Sequence, residues 1–220
     1  MNSFKVNPAL STLRAEYTKG VLNEETTYGN PVHQFEAWMA EMVESGNRHA
    51  NAMVLSTVDE NLIPSSRVVL LRNISYGGFT FYSNYRSRKA NEINKNKHAS
   101  LLFFWDAFER QVRVEGKIKR LPAEESDKYF ETRPFESKVG AWVSKQSTVI
   151  KNRKVLEEEF EKQLRHFKGK TVPRPPEWGG YVLIPNAFEF WQGRSNRMHD
   201  RIRYRLEPDN KTWIKERLMP

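Results

Sequence analysis

The stretch EFWQGRSNRMHDRIRYR, residues 189–205, sets basic side chains at alternate positions: Arg197, His199, Arg201, Arg203 and Arg205. On a β-strand residues i and i+2 share a face. The spacing therefore predicts a basic face opposite a mostly apolar one carrying Met198, Ile202, Tyr204 and Leu206. Same-face neighbours lie about 7 Å apart. Two unit charges at that distance repel by roughly 0.6 kcal/mol in water, or about 2.4 kcal/mol at an effective dielectric of 20. The outside of an edge strand, where lysine and arginine discourage aggregation, accounts for Arg203 and Arg205. It accounts less well for Trp191 and for a histidine between two arginines. A planar aromatic or anionic ligand would use those through stacking and charge-assisted hydrogen bonds.

Three other segments could hold an anion. In SSRVVLLR the apolar run Val68, Val69, Leu70 and Leu71 predicts a strand buried on both faces, with Arg67 and Arg72 at its ends. Strand parity sends these two arginines to opposite faces, which favours two anion sites over one; rim arginines that merely snorkel explain them equally well. In YSNYRSRKANE, Arg88 and Lys89 stand near a helix start, where free amides and basic side chains would seat a phosphate. The plain alternative is a solvated helix face. In GAWVSKQSTVI, Ser147 or Thr148 could cap a helix, and Gln146 could offer its amide to a heterocycle.

Several kinds of chemistry lack their residues. No phosphate-binding glycine loop, HExxH pair or nucleophile elbow occurs, and the histidines at 33, 49, 98, 166 and 199 are scattered. No metal is expected. With no cysteine, disulfides and thiolate chemistry are excluded. An enzyme built from this inventory would borrow an organic cofactor.

The elements that must position these groups read as short strands with inserted helices. Helices are expected over 31–45, 85–97, 123–131 and 150–167, with a short helical piece near residues 12–20. Strands are expected at NAMVLSTVD, SSRVVLLR, GFTFYS, ASLLFFWD, RQVRVEGKIKRL, GGYVLIP, AFEFWQ, DRIRYRL and TWIKERL. The fold class is mainly β with peripheral helices (α+β), a single antiparallel barrel or curled sheet. Residues 1–30 form an extension and 31–220 one domain. The 220 residues carry a formal net charge of +9, and their cations stand singly at strand ends rather than in a tail. Small anions held by defined residues suit that pattern better than a polyanion. No apolar run suggests a secretory leader or a membrane span, so a cytoplasmic enzyme is expected, with neither membrane nor nucleic-acid partners.

The run Glu189-Phe190-Trp191-Gln192 followed by Arg197-Met198-His199-Asp200-Arg201 resembles the motif of the pyridoxine/pyridoxamine 5′-phosphate oxidases. The likeness extends through LRAEYTKG, RVVLLR, FYSNYRSRKANE, RQVRVEG, YFETRP, GAWVSKQS and WIKERLMP, from about Leu13 to Pro220. It implies an FMN-binding split β-barrel, homodimeric, with flavin at the subunit interface. It also implies oxidation of pyridoxine or pyridoxamine 5′-phosphate to pyridoxal 5′-phosphate, with O2 as acceptor and hydrogen peroxide released.

Residue by residue, the resemblance assigns Arg67, Arg88 and Lys89 to the flavin phosphate, with Tyr82, Ser83 and the strand Val68–Arg72 in the same pocket. Gln111, Gln146, Ser147, Trp191 and Arg201 match further flavin positions, some donated by a partner subunit. Arg72, Tyr129, Arg133 and Ser137 match the set that holds the substrate phosphate. The spacing of the last three suits one helical face, although Pro134 interrupts it. Arg197 and His199 match the residues beside the reacting pyridine, with Met198 between them. Arg14 and Tyr17 match an N-terminal segment that closes over the site. Two positions depart from the usual pattern: Arg72 replaces a lysine, and His49 stands where an acidic residue is common. Two alternatives stay open on the residues alone: a split-barrel flavoprotein with another substrate, and a basic nucleic-acid-binding barrel whose aromatics stack on bases.

Overall fold

The computed structural model describes residues 16–220. Its strands are β1 Ala52–Val58, β2 Pro64–Leu70, β3 Asn73–Ser75, β4 Gly78–Asn84, β5 His98–Trp105, β6 Arg110–Arg120, β7 Trp178–Gln192, β8 Asp200–Leu206 and β9 Trp213–Leu218. They form one curled antiparallel sheet in the order β2-β1-β5-β6-β7-β4-β3, with β8 and then β9 branching from β7. The helices are α1 Pro31–Glu44, α2 Arg88–Lys95, α3 Ala123–Glu131, α4 Phe135–Val143 and α5 Arg153–Phe167.

The alternation in RQVRVEGKIKR works as the sequence predicts: Val112, Val114 and Ile118 are buried and Glu115, Lys117 and Lys119 face outward. Inside the curl, Phe35 of α1 meets Phe79 and Phe103 edge to face, with ring centroids 4.9 and 4.8 Å apart. Aromatic pairs in this geometry add to the area they bury. Val43, although apolar, is exposed on α1. A second, smaller core of Phe130, Val139, Phe167, Val172 and Trp178 binds α3, α4 and α5 to the start of β7.

Strand β7 is where the sheet divides. Trp178–Leu183 pairs with β4, whereas Ala187–Gln192 pairs with β8 on the same edge. Pro185, which has no N–H to donate, falls in the gap between these pairings. The neighbouring strand β6 follows the bend through a register shift between Glu115 and Gly116. A Cβ at Gly116 would lie 2.0 Å from the carbonyl oxygen of Ile184, so glycine is required by close approach.

Several expectations are revised. Residues 16–20 are not helical, so the described part of the expected N-terminal helical piece is absent. The basic helix begins at Arg88 rather than 85, and the long helix at Arg153 rather than 150, capped by Asn152. Helix α4 was not expected; it begins directly after Pro134, where α3 has already ended. The run Val68–Leu71 is not buried on both faces of this chain, since β2 is the outer strand of its sheet and Val68 is 66% exposed. Glycine at the bend gives a direct test. Gly116→Ala should lower stability by about 1 to 3 kcal/mol through overpacking, read as a lower urea midpoint; an unaltered midpoint would mean that β6 can move aside freely.

Candidate active site

A cavity of about 690 Å³ opens between β2, β4, α2, α3, α4 and the segment after α4. Arg67 and Arg72 both line it, although parity sends them to opposite faces of the strand. Strand β2 ends at Leu70, Leu71 turns into the core, and the cavity meets both faces of the strand. Val68, Val69 and Leu70 line the cavity, and Leu71 does not.

One end is built around Glu92, whose side chain is only 4% exposed. Its carboxylate accepts from Thr57, from Ser65 at 2.7 Å, from Arg67 at 3.0 Å and from Arg88 at 2.8 Å. Burial pushes this carboxyl up, but those hydrogen bonds outweigh it and hold it down to about 2. Beside it, Lys89 reaches into the cavity and makes no ion pair with a carboxylate among the described residues. Its Nζ donates to Gln146 Oε1 at 2.7 Å, Ser83 Oγ at 3.1 Å and Ser87 Oγ at 3.2 Å. Burial, and then the Arg67 charge, bring the lysine down to about 8. With Gln146 Oε1 occupied, the remaining capacity of that side chain is its Nε2 donors.

The other end is an aromatic stack under two arginines. Tyr82 lies parallel to Tyr129 with ring centroids 3.9 Å apart, and to Trp178 at 5.3 Å. The Arg133 guanidinium sits 4.6 Å from the Trp178 ring centre, and Arg72 sits 5.9 Å from that of Tyr129. Burial pushes Tyr82 up to about 12, so its hydroxyl stays protonated at neutral pH. Arg133 Nη1 is buried and has no hydrogen-bond partner among the described residues. An unsatisfied, buried guanidinium nitrogen is costly, and an anionic oxygen in the cavity would satisfy it. Ser137 lines the same wall. The break at Pro134 means that Tyr129 and Ser137 come from different helices, and Arg133 from the turn between them.

A second group of candidates gathers elsewhere. Trp191 on β7 packs against His199 with centroids 4.7 Å apart, and Tyr17 stands edge-on to both, at 5.6 and 5.5 Å. Gln111 is the cross-strand partner of Trp191. Arg197 and Met198 are exposed, and Arg197 has a left-handed backbone with φ 60°. Strand β8 begins only at Asp200, so the alternating basic row does not include Arg197 or His199. The rest of the row is neutralised within the chain: Arg201 binds Glu189 at 2.9 Å, while Arg203 and Arg205 bind Glu216 at 2.8 and 3.1 Å. Since β8 lies between β7 and β9, the edge-strand account of Arg203 and Arg205 also fails. No residue of this group lines the 690 Å³ cavity.

Two further candidates do not line the cavity. Arg88, a partner of Glu92, faces an adjoining cleft of about 560 Å³. Ser147, with φ 73°, does not cap the helix that follows it; its Oγ accepts the Arg88 amide, the first of α2, at 3.2 Å. Arg14 lies outside the described residues. Among the described residues no three His, Asp or Glu side chains gather as a metal site. Sequence reasoning missed Glu92, although Arg88 and Glu92 have the i, i+4 spacing of a helical ion pair. It also missed Trp178, which no local pattern marks.

A family model described as pyridoxamine 5′-phosphate oxidase matches residues 39–166, and one for the pyridoxine 5′-phosphate oxidase C-terminal dimerisation region matches 178–220. The pyridoxine/pyridoxamine 5′-phosphate oxidase of Haemophilus influenzae (strain 86-028NP) is 50% identical over 212 residues, covering 96% of this chain and 99% of the relative. The chain belongs to the pyridoxine/pyridoxamine 5′-phosphate oxidase family. The oxidase of Bordetella avium (strain 197N) is 48% identical over 96% of this chain and 100% of its own. Among solved structures, PhzG from Burkholderia lata 383, in complex with tetrahydrophenazine-1-carboxylic acid, superposes with a TM-score of 0.84 at 29% identity, covering 91% and 98% of the two chains. A pyridoxamine 5′-phosphate oxidase-related, FMN-binding protein from Nostoc punctiforme shares the fold, with a TM-score of 0.70 at 16% identity over 87% and 98%. The curled antiparallel sheet with peripheral helices is thus the split-barrel fold expected for this oxidase family.

The Glu92 cluster makes acid sensitivity measurable. A carboxyl held at about 2, against an ordinary 4.5, contributes stability that is complete above pH 4.5 and lost as pH falls towards 2. The contribution is about 3 kcal/mol. Glu92→Gln should therefore lose stability at pH 7 and show a smaller drop in urea midpoint between pH 7 and pH 3. Equal drops in both proteins would remove Glu92 from that role.

Proposed function

We propose that this chain is a homodimeric, FMN-dependent oxidase that converts pyridoxine 5′-phosphate or pyridoxamine 5′-phosphate to pyridoxal 5′-phosphate. Electrons pass to O2 and hydrogen peroxide is released. The observation that carries the reading is a cavity with cations at both ends, where neither Lys89 nor Arg133 is paired with a carboxylate among the described residues. Two phosphates, one from the flavin and one from the substrate, match those two ends.

At the first end Arg67 and Lys89 would hold the flavin phosphate, assisted by Ser83 and Gln146. Glu92 keeps Arg67 oriented, so little ordering is left for the moment of binding. At the second end Arg72, Tyr129, Arg133 and Ser137 would hold the substrate phosphate, and the stack of Tyr82, Tyr129 and Trp178 shapes the wall. When bound, the flavin supplies a two-electron acceptor for hydride from the substrate C4′. The protein contributes position and field rather than acid–base chemistry.

The outward face of β2, β1 and β5 supports a second copy. Val68 pairs with Val54 and Val54 with Leu102 across that face. Phe104, two residues on from Leu102, is 57% exposed. Together with Leu70 they make an apolar surface at the mouth of the cavity. A partner docked there would bring Trp191, Arg197, His199 and Arg201 of its own chain to complete the site. Residues 31–220 would then act as one catalytic domain, with the segment before Pro31, including Arg14 and Tyr17, as its cover. No helix among the described residues is long and apolar enough to cross a membrane, and a cytoplasmic site of action fits the reaction.

Peroxide production by FMN-loaded protein, assayed with both substrates, tests the activity. Arg197→Ala should lower kcat/KM about a hundredfold, a loss of roughly 2.7 kcal/mol in transition-state positioning; unchanged turnover would remove Arg197 from the reacting centre. Lys89 predicts a pH effect on the cofactor. Its free form titrates near 8 and only the protonated form attracts phosphate. FMN affinity of the apoprotein should therefore be flat near pH 7 and fall about tenfold per unit well above pH 8. Fluorescence titration between pH 7 and 9.5 reads this, and Lys89→Met should bind more weakly with no such slope.

A further inference from the structure

We propose that Arg194 and Asp200 are positioning residues that fix His199 as the tautomer carrying its proton on Nε2, so that it serves the substrate as a hydrogen-bond donor. The proposal rests on the reading that His199 stands beside the reacting group.

The backbone N–H of Arg194 donates to His199 Nδ1 at 3.2 Å. A nitrogen that accepts must keep its lone pair, so the ring proton belongs on Nε2. A doubly protonated ring would set two N–H donors against each other and break this contact. The amide is held in place by its own side chain: Arg194 Nη1 donates to Asp200 Oδ2 at 2.8 Å. Asp200 follows His199 directly and is itself anchored from two further directions. Its Oδ2 accepts the Leu22 amide at 3.1 Å, and its Oδ1 accepts Arg217 Nη1 at 2.8 Å. Arg217 in turn grips Glu24 with two bonds of 2.6 Å. The loop from 194 to 200 is therefore tied both to the N-terminal segment and to β9.

The two aromatic rings packed on the imidazole agree with a neutral donor. Trp191 comes from β7 and Tyr17 from the N-terminal segment, and neither offers a charge to stabilise an imidazolium. Burial, followed by the Arg197 charge, pushes His199 below its ordinary value, against the opposing influence of Asp200. Asp200 is itself neutralised by Arg194 and Arg217. A base at this position would have to take a proton on Nδ1, which the Arg194 amide blocks, or begin with Nε2 bare, which the same amide disfavours.

The test is long-range 1H–15N correlation on the FMN-loaded full chain labelled with 15N-histidine, at pH 7.5, with His199→Gln used to assign the ring. The expected pattern is a pyridine-type Nδ1 and a pyrrole-type, protonated Nε2. Asp200→Asn should convert this to a tautomer mixture and lower kcat about tenfold, with FMN affinity within twofold of the unsubstituted protein. A protonated Nδ1 in the unsubstituted protein overturns the proposal and leaves the oxidase reading intact, even if Asp200→Asn fails to fold. An Asp200→Asn protein that keeps both its tautomer and its kcat also overturns it. A changed tautomer with kcat unaltered overturns the placement of His199 beside the substrate instead.

Discussion

A single strand serving two partners on one edge shapes everything around it. Trp178–Leu183 of β7 hydrogen-bonds to β4 and Ala187–Gln192 to β8, so the cavity wall and the histidine loop hang from opposite ends of the same strand. Tyr82 enters through β4, and Trp178 begins β7 itself; Trp191 and the Asp200 network sit at the other end. The bend between them holds Pro185 on one strand and needs glycine at 116 on its neighbour, because the backbone of β7 comes too close to Gly116 for a side chain there. The two groups of candidate residues are separate in one chain because this strand keeps them apart.

Charge is distributed by the same logic. Where arginines perform a structural task they have carboxylates: Glu189 takes Arg113 and Arg201, and Glu216 takes Arg203 and Arg205. The repulsion that an arginine row would otherwise suffer is cancelled strand to strand. Where cations face the cavity the pairing is withheld, or, at Arg67, shared with a carboxylate that also orders Thr57 and Ser65. A polyanion-binding surface would leave its arginines free on the outside. Here the arginines of β8 are paired with carboxylates, while Arg72, Lys89 and Arg133 line the cavity.

Much of the fold was legible because it is local. The alternation in β6, the helical spacing in α1 and the turn at Tyr76-Gly77, where both residues have positive φ, each declare themselves within ten residues. The site was legible mainly by resemblance, since Arg67, Arg133 and His199 lie far apart in sequence and no spacing rule joins them. Parity failed at Arg197 and His199 because it assumes an unbroken strand. The chain enters β8 only at Asp200, after His199. Apolar exposure misled differently, as Val68 looks like core in the sequence and is surface in a lone chain.

The bond from the Leu22 amide to Asp200 spans 178 residues, and the bonds from Arg217 to Glu24 span 193. Closing loops of that length costs chain entropy. Every residue that lines the cavity lies at or before Trp178, but the network around the histidine needs Arg217 of β9 as well as Leu22 and Glu24. A chain that stops short of β9 would carry the whole cavity lining and lack the side chain that joins Asp200 to Glu24.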